Sequence, residues 1–438
     1  MAAILALASL GSVLSTGSAL HAQDAGGAGP VSPDSADVIR AGLERPDRRH
    51  RTTLGDVVAV PFKLVGVPLS LAFDGLVGAA DLALGGDAPS PLAGLYRSLL
   101  DACFRPSATT DLGPRSGLAL VLAYEGLGPV RIESGASVRG SLRQVVQVGG
   151  VSERWAGGVA VSFQRSEEEH FWGRGLDTPV TAQSDFRRDR TAAEGEVSYR
   201  PSPWSTLALV AGIERTQVGR GGDEERPDLQ DSFDTGSLFG AAGATRFVVT
   251  GLSSRVDRTR WEELQVRGFV ASVEVERYTG IGGTAADFTL IEGAAGVFLP
   301  VSLRHALLLS GRTELRRGTG DGVPFTHLAT LGGSRSLRAF EWGRFQDRDL
   351  LALAAEWRFE IWRDLRERGR LEGFTFWEAG GVARNLNALP GMRHSYGVGL
   401  LLAWNLEVMG RAWIAHGDEG TRISASLASA LDHLGIIP

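Results

Sequence analysis

From about residue 117 onward the chain alternates in twos. Between Asp349 and Ile361, Leu351, Leu353, Trp357, Phe359 and Ile361 take odd positions, and Glu356, Arg358 and Glu360 fall between them. Residues 302–316 repeat the pattern, with Leu303, Leu307, Leu309 and Leu315 on one face and Arg304, Ser310, Arg312, Glu314 and Arg316 on the other. A strand turns successive side chains to opposite faces, so each segment has an apolar face and a charged one. A soluble sheet with one covered face also alternates. Here, however, charge stands at nearly every inward position, and a dry core would have to desolvate all of it. A barrel in lipid turns its apolar face outward and its charges into a wet lumen.

Fifteen candidate strands can be read between 117 and 430. Bacterial single-chain barrels have an even number, so the expectation is an all-β, transmembrane antiparallel β-barrel of about 16 strands over 117–431, with one strand unread before 156. Connections such as Pro201-Ser202-Pro203 and Asn405-Leu406 are short, whereas 166–190, 217–237 and 317–346 are long and polar. Short periplasmic turns and long outer loops are the usual arrangement of such barrels.

The region before the barrel is of another kind. Residues 1–22 read as a signal peptide, apolar from Ala2 to Leu14 with small residues at Ala19 and Ala22. Residues 23–54 form a flexible tether, rich in Gly, Ala, Ser, Pro and Asp up to residue 36. Residues 55–116 are taken as helical: Leu69, Phe73, Leu76, Val77, Ala80 and Leu84 fall on one face, with Ser70, Asp74 and Asp81 opposite. At about 16 residues this helix is short for a span of roughly 20. It reads as an amphipathic segment lying on the membrane or against the barrel; the alternative is a small helical subdomain in the periplasm.

Composition excludes several functions. A net charge of -6 gives no electrostatic case for nucleic acid. Cys103 is the single cysteine, so no internal disulfide and no cysteine-based metal site can form. No Gly-x-Ser-x-Gly elbow, His-Glu-x-x-His or phosphate-binding glycine loop occurs, so no enzymatic activity, cofactor or metal is expected. The acidic runs Glu167-Glu168-Glu169 and Asp223-Glu224-Glu225 read as solvated outer loops, or less readily as places where divalent cations bridge to lipopolysaccharide.

One loop carries a resemblance. Leu331-Gly332-Gly333-Ser334-Arg335-Ser336-Leu337-Arg338-Ala339-Phe340 precedes the Asp349–Ile361 strand, and Leu337-Arg338-Ala339-Phe340 resembles the (Val/Leu)-Arg-Gly-(Phe/Tyr) loop of the bacterial surface-antigen barrels, the BamA/TamA-like family. Alanine stands here where the family has glycine. Phe376-Trp377-Glu378-Ala379-Gly380 is similar to the family's Phe-x-Asp-x-Gly strand, and Tyr396-Gly397-Val398-Gly399 with Arg411 to Gly420 follows the family's order of carboxyl-terminal strands. Upstream, Phe171-Trp172-Gly173-Arg174-Gly175 resembles an aromatic-Gly-x-Gly loop common in these barrels. Residues 37–115 lack the strand–helix alternation of the family's periplasmic repeats, which places the chain with a short branch.

The resemblance implies an outer-membrane location. It implies that Arg338 and Phe340 anchor the loop in the lumen, with Glu378 and Glu356 as partners of Arg338; a bidentate, permanently charged guanidinium suits that pairing. It also implies a role in inserting or moving protein or lipid in the outer membrane, with lipid, lipopolysaccharide, a periplasmic partner or a second copy of the chain as partners. The alternative is a passive pore or a structural, adhesive barrel.

Overall fold

The computed structural model describes residues 102–427, apart from short breaks at 111, 224, 237, 263–264, 285, 319–321, 364–368 and 405–406. The expected signal peptide, tether and 69–84 helix lie outside the described residues. The strands are β1 (Phe104–Thr109), β2 (Ala119–Leu127), β3 (Val130–Ser137), β4 (Leu142–Val151), β5 (Trp155–Phe171), β6 (Ser184–Ser202), β7 (Ser205–Arg220), β8 (Ala244–Asp257) and β9 (Arg260–Glu262). They continue with β10 (Gln265–Gly280), β11 (Asp287–Ser302), β12 (His305–Gly318), β13 (Ala329–Leu331), β14 (Phe345–Asp347), β15 (Asp349–Arg363), β16 (Gly369–Ala383), β17 (Arg393–Trp404), β18 (Glu407–Gly417) and β19 (Gly420–Leu427).

Sixteen of these form an antiparallel meander. β1 to β8 pair in order, β8 pairs with β10, β10 to β12 continue, β12 pairs with β15, and β15 to β19 complete the series. β9 pairs locally with β10, and β13 pairs with β14 inside the β12–β15 loop. β19 comes round beside β1, but among the described residues no ladder joins them. Among the described residues the wall is therefore unpaired at this one junction, the seam.

The strand unread in the sequence is β1. It falls inside the stretch taken as helical, and it contains Pro106. Proline cannot donate to a ladder and is tolerated in an edge strand, which β1 is. β8 begins six residues later than the alternation suggests, because Leu238 and Ala241 belong to an apolar cluster above the strand.

The alternation separates the two faces as expected. Val159, Val161, Leu207, Leu209, Leu252, Val273, Val398 and Ile414 stay exposed on the outside, where lipid replaces water. Trp155 and Tyr199 meet at 4.6 Å with their rings tilted beside the short-turn end, and Arg258 lies over Trp204 at 4.2 Å in the same zone, the kind of aromatic girdle found at a membrane interface. β5, β6, β7 and β10 run 16–19 residues, well beyond the 9–11 that a tilted strand needs to cross. Their outer ends rise past the membrane and carry the loops.

Candidate functional site in the lumen

The chain leaves the wall at Gly318 and re-enters it at Asp349. Its first part sends Val323, Phe325 and Leu328 into an apolar cluster with Phe171, Phe186, Phe247 and Phe288. His327 Nε2 meets Glu214 Oε1 on β7 at 2.8 Å. Its second part crosses β15 to β18, burying Leu331, Leu337, Ala339 and Phe340 against Phe374, Phe376, Leu401 and Trp413.

A loop this deep must satisfy its backbone groups. The Arg338 N–H donates to Glu378 Oε2 at 2.7 Å, and the Ala339 N–H donates to Ser395 Oγ at 3.0 Å. Positive φ sets the turn: +111° at Gly332 and +103° at Gly333. A Cβ at Gly333 would stand 2.9 Å from the Trp342 ring. Leu337, immediately before the arginine, takes φ +51°, a sparsely populated conformation costing on the order of 1 kcal/mol, offset by complete burial of its side chain. Ala339, where the family has glycine, needs no positive φ. Its methyl fits because Gly417 stands opposite; a Cβ there would lie 3.0 Å from Ala339 Cβ.

Arg338 joins two strands. Its Nη2 donates to Glu356 Oε2 on β15 at 2.7 Å, and its Nε stands 2.9 Å from Glu378 Oε1 on β16. Arg358 Nε donates to the other oxygen of Glu356 at 2.6 Å. The guanidinium also lies 4.1 Å from the Phe376 centroid and 5.5 Å from that of Phe374, an attraction to the ring face worth about 0.5–2 kcal/mol depending on desolvation. Glycine makes room for those rings: a Cβ at Gly397 or Gly399, their cross-strand partners on β17, would run into Phe376 or Phe374. Phe340 is buried, 5.1 Å from Phe345, with its ring against Gly417. The structure thus brings Arg338, Glu356, Glu378 and Phe340 together at one place.

Other residues of the site carry no signal in the sequence. Glu341 Oε2 accepts from Arg115 Nη1 at 2.8 Å, between β1 and β2, while its Oε1 stands 3.7 Å from Arg422 Nη1 on β19. The His170 ring at 3.5 Å, together with these arginines, holds the Glu341 carboxyl down at about 2, against the burial that pushes it up. Arg344 donates to Thr178 Oγ1 at 2.8 Å, lies 2.8 Å from Glu419 Oε1 and sits over Trp172 at 5.5 Å. The Gly175 N–H donates to the Gln346 carbonyl at 2.8 Å. The aromatic-Gly-x-Gly loop and the arginine loop are therefore one packed unit. The run Glu167 to Glu169 is not simply solvated: Glu167 lies 3.7 Å from Arg165, Glu168 2.9 Å from Arg139 and Glu169 2.9 Å from Arg188.

Residues 264–414, which include the loop and all its partners on β15–β17, match the Omp85 superfamily domain. Among solved structures the fold is similar to BamA from Haemophilus ducreyi lacking POTRA domains 1–3, at TM-score 0.52 and 13% identity over 74% of this chain and 68% of that one. CdiB from Acinetobacter baumannii aligns at TM-score 0.45 and 12% identity over 74% of this chain and 58% of that one. The search of curated proteins gives no match. Residues 264–414 are thus an Omp85 superfamily domain, set in a sixteen-strand meander whose fold is similar to that of BamA, and this places the barrel in the bacterial outer membrane.

Proposed function

We propose that the barrel inserts or moves protein or lipid in the outer membrane by opening its seam between β1 and β19, with Arg338 and Phe340 anchoring the loop that holds the closed form. The observation that carries this reading is Glu341. One loop carboxylate reaches Arg422 on the last strand and Arg115 beside the first, so the loop clasps both sides of the junction that has no ladder among the described residues. A strand pair without a ladder opens at little cost in hydrogen bonds, and a clasp of ion pairs sets when it does. β19 carries Ser424, Ala425 and Ser426, small residues that pack weakly across a strand pair. Lipid and lipopolysaccharide at the outer wall, a periplasmic partner, and a second copy of the chain belong to the same reading.

A passive pore is the second reading. The packing of the loop against both walls argues against it, since an open pore needs an unobstructed lumen. The test is reconstitution in liposomes of phosphatidylethanolamine and phosphatidylglycerol. The seam reading expects faster folding of an added unfolded barrel protein, or faster exchange of labelled lipid between leaflets, than in protein-free liposomes. Either activity should disappear when β1 and β19 are cross-linked in a Cys103→Ser background. Ion conductance alone, unchanged by the cross-link, would establish the pore.

A further inference from the structure

Arg411 is a lumen cation with no carboxylate of its own among the described residues. It stands on the inward face of β18, in register with Leu401 on β17 and Ser426 on β19. It makes no hydrogen bond or ion pair within 4 Å among the described residues. The groups that face it are Arg358, Glu356, Arg338 and Glu372. Both carboxylates are already taken: Glu356 by Arg338 and Arg358, at 2.7 Å and 2.6 Å, and Glu372 by Arg370 at 3.0 Å. Of the other inward residues of these rows, Phe374, Gly399 and Leu401 carry no side-chain acceptor, and Glu360 on β15 is held by Arg363 and Arg304. Two residues along the same face, Trp413 buries an indole N–H that finds no acceptor. The region has an excess of donors and of positive charge.

Position narrows the class of ligand. Arg411 lies four residues from the short β17–β18 turn and one strand from the seam, below the Arg338 anchor and toward the periplasmic mouth. β15 and β18 are three strand spacings apart, about 14 Å, and Arg358 is foremost among the charged groups that act on Arg411. Guanidinium and indole N–H groups from separate strands offer more donors than a carboxylate can use. They suit a tetrahedral oxyanion, which presents up to four acceptor oxygens.

We infer that Arg411 and Arg358, with Trp413, form a phosphate-binding site at the periplasmic end of the lumen that takes the phosphate of a lipid headgroup reaching it through the seam. This rests on the seam reading and names the chemical class it would handle. Binding supplies the missing acceptors and neutralises the surplus guanidinium without disturbing the Arg338–Glu378 anchor.

The test uses the full barrel in a zwitterionic detergent. Native mass spectrometry with added phosphatidylglycerol and calorimetric titration with inorganic phosphate should both detect binding. Arg411→Gln should weaken both at least tenfold, Arg411→Lys should retain most of the inorganic phosphate affinity, and Arg335→Gln should change neither. Heat-modifiable migration on gels shows that each variant is folded. Lipid binding that depends on Arg411 assigns the site to a headgroup. Phosphate binding that depends on Arg411 without lipid binding keeps the anion site but removes the lipid from it. No binding of either probe, or binding indifferent to Arg411→Gln, overturns the inference. A barrel that binds phosphatidylglycerol through Arg411 yet shows no insertion or exchange activity would sink the seam reading and leave the site standing.

Discussion

Two walls of this barrel carry similar numbers of inward charges and use them differently. On β15 to β18 each inward carboxylate among the described residues has a guanidinium: Glu356 and Glu378 share Arg338, Glu360 meets Arg304 and Arg363, and Glu372 meets Arg370. On β10 to β12 the carboxylates face one another, since Glu274 stands opposite Glu292 and Glu292 opposite Glu314. Of these three only Glu314 has arginine partners among the described residues, Arg312 and Arg316. Like charges directly opposite on a sheet are destabilising, and water screens them only where it is present. The second part of the loop lies directly on the β15–β18 charges, so these are desolvated and must be matched. On the acidic wall Glu274 and Glu292 stay partly exposed and go without a guanidinium, whereas Glu314, which is buried, has two. What decides whether a lumen charge bears on stability is therefore the loop above it and not its place in the strand.

The largest test of this contrast is Arg338→Ala. It leaves Glu378 without a guanidinium and Glu356 with Arg358 alone, and removing one partner of a buried pair costs on the order of 3 kcal/mol. Protease cleavage within the loop of the folded barrel should accelerate by about two orders of magnitude, while Arg335→Ala, exposed in the same loop, should cleave at the wild-type rate. Glu378→Arg should be as damaging alone and be partly rescued by Arg338→Glu. Wild-type cleavage of Arg338→Ala would mean that the pairing does not hold the loop.

A smaller effect is expected at Gly417→Ala. The added Cβ would lie 2.9 Å from the His394 carbonyl and 3.0 Å from both Ala339 Cβ and the Phe340 ring, and overpacking of this kind costs about 1–3 kcal/mol. Ala339→Gly in the same chain should return part of the loss in thermal melting; no rescue would show that the clash is with the strand and not with the loop.

Glu341 should matter less, because its side chain is 31% exposed and such pairs contribute up to about 1 kcal/mol. The sign of its pH dependence follows from its carboxyl being held at about 2 when the loop is docked. With an ordinary glutamate value of about 4.3 in the released loop, the contribution is complete above that value and is lost as pH falls toward 2. Loop cleavage by an acid protease should rise between pH 4.5 and pH 2 in the wild type more steeply than in Glu341→Gln. Identical profiles would remove Glu341 from the clasp.

The smallest change is expected on the opposite wall. Glu274→Gln or Glu292→Gln should shift stability by no more than about 0.5 kcal/mol, toward stabilisation if in any direction. A loss comparable to that of Arg338→Ala would show that the acidic wall is dry and carries load.

The barrel was legible because period-2 alternation is a local property, visible within each strand from Gly117 onward. β1 escaped because six residues interrupted by Pro106 show no period, and its place depends on pairing with Ala119 to Tyr124. The Arg338 pairing was approachable because both ends lie in motif-bearing segments only 40 residues apart. The partners of Glu341 and Arg344 were not: Arg115 and Thr178 lie 226 and 166 residues away, and nothing local marks a contact made only when the barrel closes on itself. The unmatched charges of β10 and β11 read as ordinary inward positions, and only the cross-strand register shows them facing one another.

The Arg338 segment of the loop is held by its ionic contacts to β15 and β16, while the unmatched carboxylates Glu274 and Glu292 contribute nothing to holding it. Hydrogen exchange at the Arg338 and Ala339 amides measures this directly, since these N–H groups donate to Glu378 and Ser395. Both amides should be protected in the wild type and in Glu292→Gln, and should lose that protection in Arg338→Ala while the amides of β16 keep theirs. Equal protection in all three proteins, or equal loss in Glu292→Gln and Arg338→Ala, would contradict the claim.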